Sequence, residues 1–172
     1  MKTLIMSYSF TGNNEAFARR FAEELNAEHI SIREIKNRTI GTIIADFVFR
    51  RTPKTEPDPQ LMSSYDLIIF MAPVWMGQPA FPLKLYLKQL NKHQQKYAFV
   101  SICGYANSGL PKALMHIAGY EASAVIEQYI ADLLPSNSKP TPQSISNYKL
   151  TEQDVEKMVK QATSILKDKN LI

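Results

Sequence analysis

"TLIMSYSFTGNNEAFARRFAEEL" (residues 3–25) passes from one regular pattern to another across a polar hinge. Residues 3–6 are a short continuous apolar run. Ala18, Phe21, Ala22 and Leu25 then recur at i, i+3, i+4 and i+7, the spacing of one helix face. Between them stands "SYSFTGNNE" (7–15), dense in hydroxyls and amides and holding one glycine. A strand buried on both faces reads as a continuous apolar run, and a parallel sheet covered by helices demands such strands. The stretch therefore predicts strand, polar loop and helix, the first half of a βαβ unit.

The same alternation runs down the chain. "LIIFMA" (67–72) and "YAFVSI" (97–102) are further continuous runs. "HISIREI" (29–35) alternates like an edge strand, and "SAVIEQY" (123–129) is a weaker candidate. Helical spacing is carried by Ile40, Ile43, Ile44 and Phe47, and again by Leu83, Tyr86, Leu87 and Leu90, with Pro82 suited to a first turn. Leu110, Ala113, Leu114 and Ile117 repeat it. Val155, Met158, Val159, Ala162, Ile165 and Leu166 form one stripe behind Thr151, an N-cap residue type. "RTPKTEPDPQ" (51–60) and "PSNSKPTPQSIS" (135–146) fall between periodic segments and are expected to be surface loops. The order βαβαβαβαβα predicts an α/β fold, a doubly wound parallel sheet with helices on both faces.

Composition bounds the reading. The 172 residues, 45% hydrophobic and 21% charged, are expected to form a single globular domain over 1–172. The net charge of +4 is dispersed, so a solvated surface is expected and no nucleic-acid partner. No apolar run approaches the roughly 20 residues of a membrane span. "MKTLIM" is too short and too strand-like for a signal peptide. The single cysteine, Cys103, forms no internal disulfide and suits a reducing compartment, so a cytoplasmic location is expected.

In doubly wound folds ligands bind beyond the C-terminal ends of the strands. Three loops lie there. The first, 7–14, opens a helix, where unpaired N–H groups and the positive dipole end attract an anion. Ser9 and Thr11 add hydroxyls, Asn14 an amide, and Gly12 permits close approach. The alternative is an ordinary polar helix start. The second, "PVWMGQPAFP" (73–82), sets the sole tryptophan, Trp75, beside Gly77. It reads either as an aromatic wall for a flat ligand or as core. The third, "CGYANSGL" (103–110), places Tyr105 between glycines and either offers backbone amides and a second wall or is a plain connection. Cys103 reads as a small buried hydrophobe, with no second cysteine to resolve it. There is no GxxxxGK, GxGxxG or GxSxG. His29, His93 and His116 lack metal-ligand spacing, so no metal site is expected. "NRT" (37–39) fits a glycosylation sequon by chance.

"YSFTGNNEAFA" (8–18), "YDLIIFMAPVWMGQPAFPLKLYL" (65–87) and "SICGYANSGL" (101–110) together resemble the flavodoxins and flavodoxin-like oxidoreductases, in element order over the whole chain. The resemblance implies a five-stranded parallel sheet of order 2-1-3-4-5 and FMN as cofactor. It places phosphate contacts on Ser9, Thr11, Gly12, Asn13 and Asn14. Ring contacts fall on Val74, Trp75, Met76, Gly77, Cys103, Gly104 and Tyr105. Asn14 stands where the family usually carries threonine, and the third loop is poorer in glycine and acids. With no long insertion in the last strand, the chain resembles the short form. The family turns the peptide at the second loop's glycine toward the flavin, which here is Met76–Gly77. No catalytic side chain is implied, because the chemistry belongs to the flavin. The expected function is electron transfer through FMN, with a redox partner protein. The alternatives are an FMN oxidoreductase taking NAD(P)H and a small quinone-type acceptor, or a binding protein of this fold without cofactor.

Overall fold

The computed structural model describes residues 1–35, 41, 52–106, 109–135 and 140–172. The chain opens with β1 (Thr3–Ser7) and α1 (Asn13–Leu25), followed by β2 (Glu28–Ser31) and β3 (Arg33–Glu34). After residue 51 come β4 (Thr55–Glu56), a 3₁₀ turn (Pro59–Ser64), β5 (Leu67–Met71) and the short pair β6 (Val74–Trp75) and β7 (Gln78–Pro79). A second 3₁₀ turn (Phe81–Leu83) leads into α2 (Lys84–His93), then β8 (Lys96–Cys103), α3 (Leu110–Ala118) and β9 (Ala124–Tyr129). The chain ends with α4 (Pro142–Asn147) and α5 (Glu152–Asp168).

Five strands form one sheet in the order β2-β1-β5-β8-β9, every pair parallel. In sequence order of the sheet's own strands this is 2-1-3-4-5, as the resemblance implied. The continuous apolar runs explain the burial on both faces. Ile5, Ile69, Val100 and Ile102 point into a core closed by α1 and α5. Their neighbours Leu4, Met6, Phe70 and Phe99 point into an opposite core closed by α2 and α3. Each of these strand residues is at most 2% exposed. The α2 stripe of Tyr86, Leu87 and Leu90, together with Leu83 of the preceding turn, is fully buried. In α1, Phe17 and Phe21 stack with ring centroids 5.5 Å apart. Thr151 caps α5 in a reciprocal box: its Oγ1 accepts from Asp154 N (3.1 Å), and Asp154 Oδ2 accepts from Thr151 N (2.9 Å).

Three local expectations change. The alternating run 29–35 is not one edge strand. Its first part pairs with β1 as far as Ile32, whose N–H donates to Ser7 O (2.6 Å), and β3 then leaves the sheet to pair antiparallel with β4. The segment 135–146 is not loop throughout, because Thr141 and Ser144 form a capping box and start α4 at Pro142. Within 51–60, Asp58 caps the 3₁₀ turn by accepting from Gln60 N (2.8 Å). The helical pattern of Ile40, Ile43, Ile44 and Phe47, the sequon at 37–39, and Asn107 and Ser108 of the third loop lie outside the described residues.

Candidate functional site

The first loop leaves β1, which lies between β2 and the central strand β5. Tyr8 N–H still donates to Met71 O (2.8 Å), so the loop starts flush with the strand ends. Gly12 caps α1 with φ at 95°, a conformation that favours glycine. A Cβ built there would meet nothing within 4 Å, so the loop is open above this residue. Gly12 N–H donates to Ser9 Oγ (3.0 Å), which holds the loop turned over the helix start. No side chain caps the helix, and its first N–H groups have no intrahelical acceptor.

Asn13 and Asn14 are placed differently from Ser9 and Thr11. Both are buried, 4% and 3% exposed. Asn14 Nδ2 donates to Ile102 O (3.1 Å) and its Oδ1 accepts from Ile102 N (3.0 Å). Asn13 Nδ2 donates to Tyr148 O (2.9 Å) and its Oδ1 accepts from Leu150 N (3.2 Å). Both amides are thus engaged with backbone. What these residues offer a ligand at the helix start is their main-chain N–H.

The second loop is a hairpin rather than a plain connection. Val74 pairs with Pro79 and Trp75 with Gln78, leaving Met76 and Gly77 as the two-residue tip. Both tip residues have positive φ, 50° and 77°. That is the signature of a type I′ turn, whose twist matches the flanking strands. Asn-Gly is the usual choice there; an unbranched methionine at φ 50° is uncommon. Met76 is 71% exposed. Trp75 is partly buried and held edge-on by Tyr8 (5.9 Å), Phe10 (6.4 Å) and Phe81 (6.1 Å). It therefore combines the two readings: packed against the core on one side, it also ties the second loop to the first.

In the third loop Cys103 is buried, and burial together with Glu127 pushes its thiol up to about 12. Its Sγ lies 3.4 Å from Tyr105 O and 3.8 Å from Glu127 Oε1. A neutral thiol so placed is a packing group and no nucleophile. Tyr105 is 50% exposed and donates its OH to Pro140 O (3.1 Å). Gly104 is needed for space, because a Cβ there would lie 2.9 Å from Ile145 Cγ2.

Several of these features have no counterpart in sequence spacing. Phe10, 48% exposed, reaches from the first loop to the edge of Trp75. Glu127 reaches the third loop from β9. Behind the first loop lies a polar cluster: Ser7 Oγ donates to Glu15 Oε2 (2.5 Å), Ser31 Oγ donates to Glu15 Oε1 (2.6 Å), and His29 Nε2 is 2.9 Å from Ser7 Oγ. Burial pushes Glu15 upward, but the hydroxyls of Ser31 and Ser7 and the charges of His29 and Arg19 outweigh it, and the carboxyl ends below its ordinary range. Burial pulls His29 down, Glu15 opposes, and Arg19 adds to the depression.

These two shifts act in the same direction. The folded values lie below the unfolded ones, so over those intervals the unfolded chain binds more protons. The stability from both groups is complete above about pH 6.5, the unfolded histidine value. It is lost first as pH falls through the folded His29 value and then through that of Glu15. The melting temperature is expected to fall between pH 7 and pH 4. His29→Gln, which keeps a donor to Ser7, should flatten the upper part of that fall. Parallel melting curves for the variant and the natural chain would contradict this.

No protein-family model matches the sequence, and no curated protein does. Solved structures do. A flavoprotein from Lactobacillus acidophilus NCFM, crystallised in complex with FMN, is 23% identical with a TM-score of 0.65, over 73% of this chain and 92% of that one. The two-electron reduced flavodoxin of Megasphaera elsdenii is 12% identical with a TM-score of 0.52, over 92% and 98%. A WrbA-like flavodoxin from Agrobacterium tumefaciens is 14% identical with a TM-score of 0.51, over 99% and 98%. With the strand order and the two-sided helix layers, these likenesses establish that the chain has the flavodoxin-like fold.

Proposed function

We propose that the protein binds FMN across the C-terminal ends of β1, β5 and β8 and passes electrons through it. The observation that carries this reading is the convergence of an open, uncapped helix start with aromatic side chains at the same sheet edge. Gly12 leaves room above the N–H groups of α1, and the Ser9 hydroxyl lies at the same loop, 3.0 Å from Gly12 N. Trp75 and Tyr105 stand on the two neighbouring loops, both reachable from solvent. The FMN bound to the Lactobacillus acidophilus flavoprotein of the same fold supports the choice of ligand.

The residues fit the cofactor in class. The main-chain N–H groups of Gly12, Asn13 and Asn14, with the hydroxyls of Ser9 and Thr11, would hold the phosphate. Val74, Trp75, Met76 and Gly77 on one side, and Cys103, Gly104 and Tyr105 on the other, would hold the ring. When bound, the flavin supplies the electron chemistry. The chain would orient it, shield it from water with Trp75 and Tyr105, and offer main-chain groups from the Met76–Gly77 and Gly104 peptides. Electrons would come from a redox partner protein. A second reading, an oxidoreductase taking NAD(P)H and a small acceptor, is favoured by the absence of Asp and Glu from segments 73–82 and 101–112.

Flavin released by heat from the purified protein should run as FMN on chromatography. The site has one helix start for a terminal phosphate and no dinucleotide fingerprint for an adenylate. Released FAD would contradict the assignment, and a protein that takes up no flavin would leave the fold without this function. Consumption of NAD(P)H with a quinone would decide for the second reading over the carrier.

A further inference from the structure

Residues 140–151 cross two of the three loops. At one end Tyr105 OH donates to Pro140 O, and Ile145 packs over Gly104. At the other end the buried Asn13 amide holds two backbone groups, Tyr148 O at 2.9 Å and Leu150 N at 3.2 Å. The residue between those anchors is Lys149. Its ammonium donates to Thr11 O. That carbonyl belongs to the peptide whose nitrogen is Gly12 N, so the charge stands within one peptide unit of the first loop's N–H groups.

This is an unfavourable place for a cation by itself. Lys149 lies beside the start of α1 and two residues before Thr151, the N-cap of α5. Both helices present their positive dipole ends there, where anions are stabilised and cations are not. An amide that is 4% exposed nevertheless fixes the backbone on either side of it. A bound anion would reverse the sign of the arrangement.

We propose that Lys149, presented by Asn13 at the start of α1, is a specificity residue for the charged phosphomonoester end of the flavin, selecting FMN over its uncharged dephosphorylated form, riboflavin. The inference rests on the FMN reading of the site. An ammonium has three N–H donors, and among the described residues Thr11 O takes one. A phosphomonoester carries about −1.5 to −2 charge at pH 7. Riboflavin shares the ring and the ribityl chain but gains nothing from the ammonium.

The test titrates FMN and riboflavin into flavin-free protein by fluorescence quenching, at low and high salt. Lys149→Met should weaken FMN by roughly 10- to 50-fold at low salt, the scale of one lost charge-assisted contact. Riboflavin should stay within about twofold, and the salt dependence of FMN binding should flatten. Lys149→Arg should restore most of the FMN affinity. The ratio of the two ligands on each variant is independent of how much protein is folded. An unchanged ratio in Lys149→Met would overturn the role of Lys149 while leaving the site intact. Failure of the natural chain to bind either flavin would overturn the site and this inference together.

Discussion

Asn14→Ala is expected to unfold at a temperature roughly 5–15 °C below the natural chain, in the absence of any ligand. The side chain is 3% exposed and bonds both the N–H and the C=O of Ile102. Truncation leaves two buried main-chain groups without partners, at about 1–3 kcal/mol each, or roughly 2–6 kcal/mol in all. The bonds join the start of α1 to the end of β8, so they also set the first loop against the third. Asn14→Thr supplies one hydroxyl in place of an amide and should recover part of the loss at most. A variant that melts like the natural chain but binds FMN weakly would show the amide to be a ligand contact instead.

The second large effect is on the potentials of the FMN-loaded protein. Carboxylates around a flavin make an anionic reduced form costly and drive the second electron to very negative potential. Segments 73–82 and 101–112 contain no Asp or Glu, and the net charge is +4. One carboxylate, Glu127, does approach the third loop, with Oε1 3.8 Å from Cys103 Sγ, and it moderates the effect without cancelling it. A unit charge about 10 Å away contributes on the order of 0.4–1.7 kcal/mol at effective dielectrics of roughly 80 to 20. For one electron about 1.4 kcal/mol corresponds to about 59 mV. Several absent carboxylates should therefore raise the second potential by roughly 50–200 mV relative to an acidic carrier. The two one-electron potentials are expected to lie close together in a spectroelectrochemical titration at low salt. A wide separation with a strongly negative second step would show that main-chain bonding at Met76–Gly77 outweighs the surrounding charge.

The main sheet and its helix layers were legible because they rest on local pattern. Runs such as 67–72 bury both faces of a strand, and the stripe from Val155 to Leu166 buries one face of a helix. The order of elements then leaves few topologies, and the positions of the three loops follow from it. What was not legible depends on contacts far apart in sequence. Asn14 meets Ile102 across 88 positions, and Asn13 meets Tyr148 across 135. Read locally, Asn14 at a helix start is a candidate phosphate donor, and the resemblance adds Asn13; in the fold both amides are engaged with backbone. His29 reads as an isolated histidine, yet parallel pairing of β1 and β2 sets it beside Ser7 and Glu15. The resemblance singled out the Met76–Gly77 peptide, but not that it is the tip of a hairpin, because methionine is a poor marker of positive φ. Lys149 escaped because nothing in its own neighbourhood indicates what it faces.

The central claim is that FMN lies across the first, second and third loops. It is tested most directly by following the backbone amide resonances of the flavin-free protein as FMN is added. The account predicts saturable shifts complete at one equivalent, at Ser9, Thr11, Gly12, Asn13 and Asn14, at Trp75, Met76 and Gly77, and at Gly104 and Tyr105. The outward face of α5, around Lys157 and Lys160, should stay unmoved. Shifts confined to that face or to the α1–α5 groove, or none at all, would contradict it.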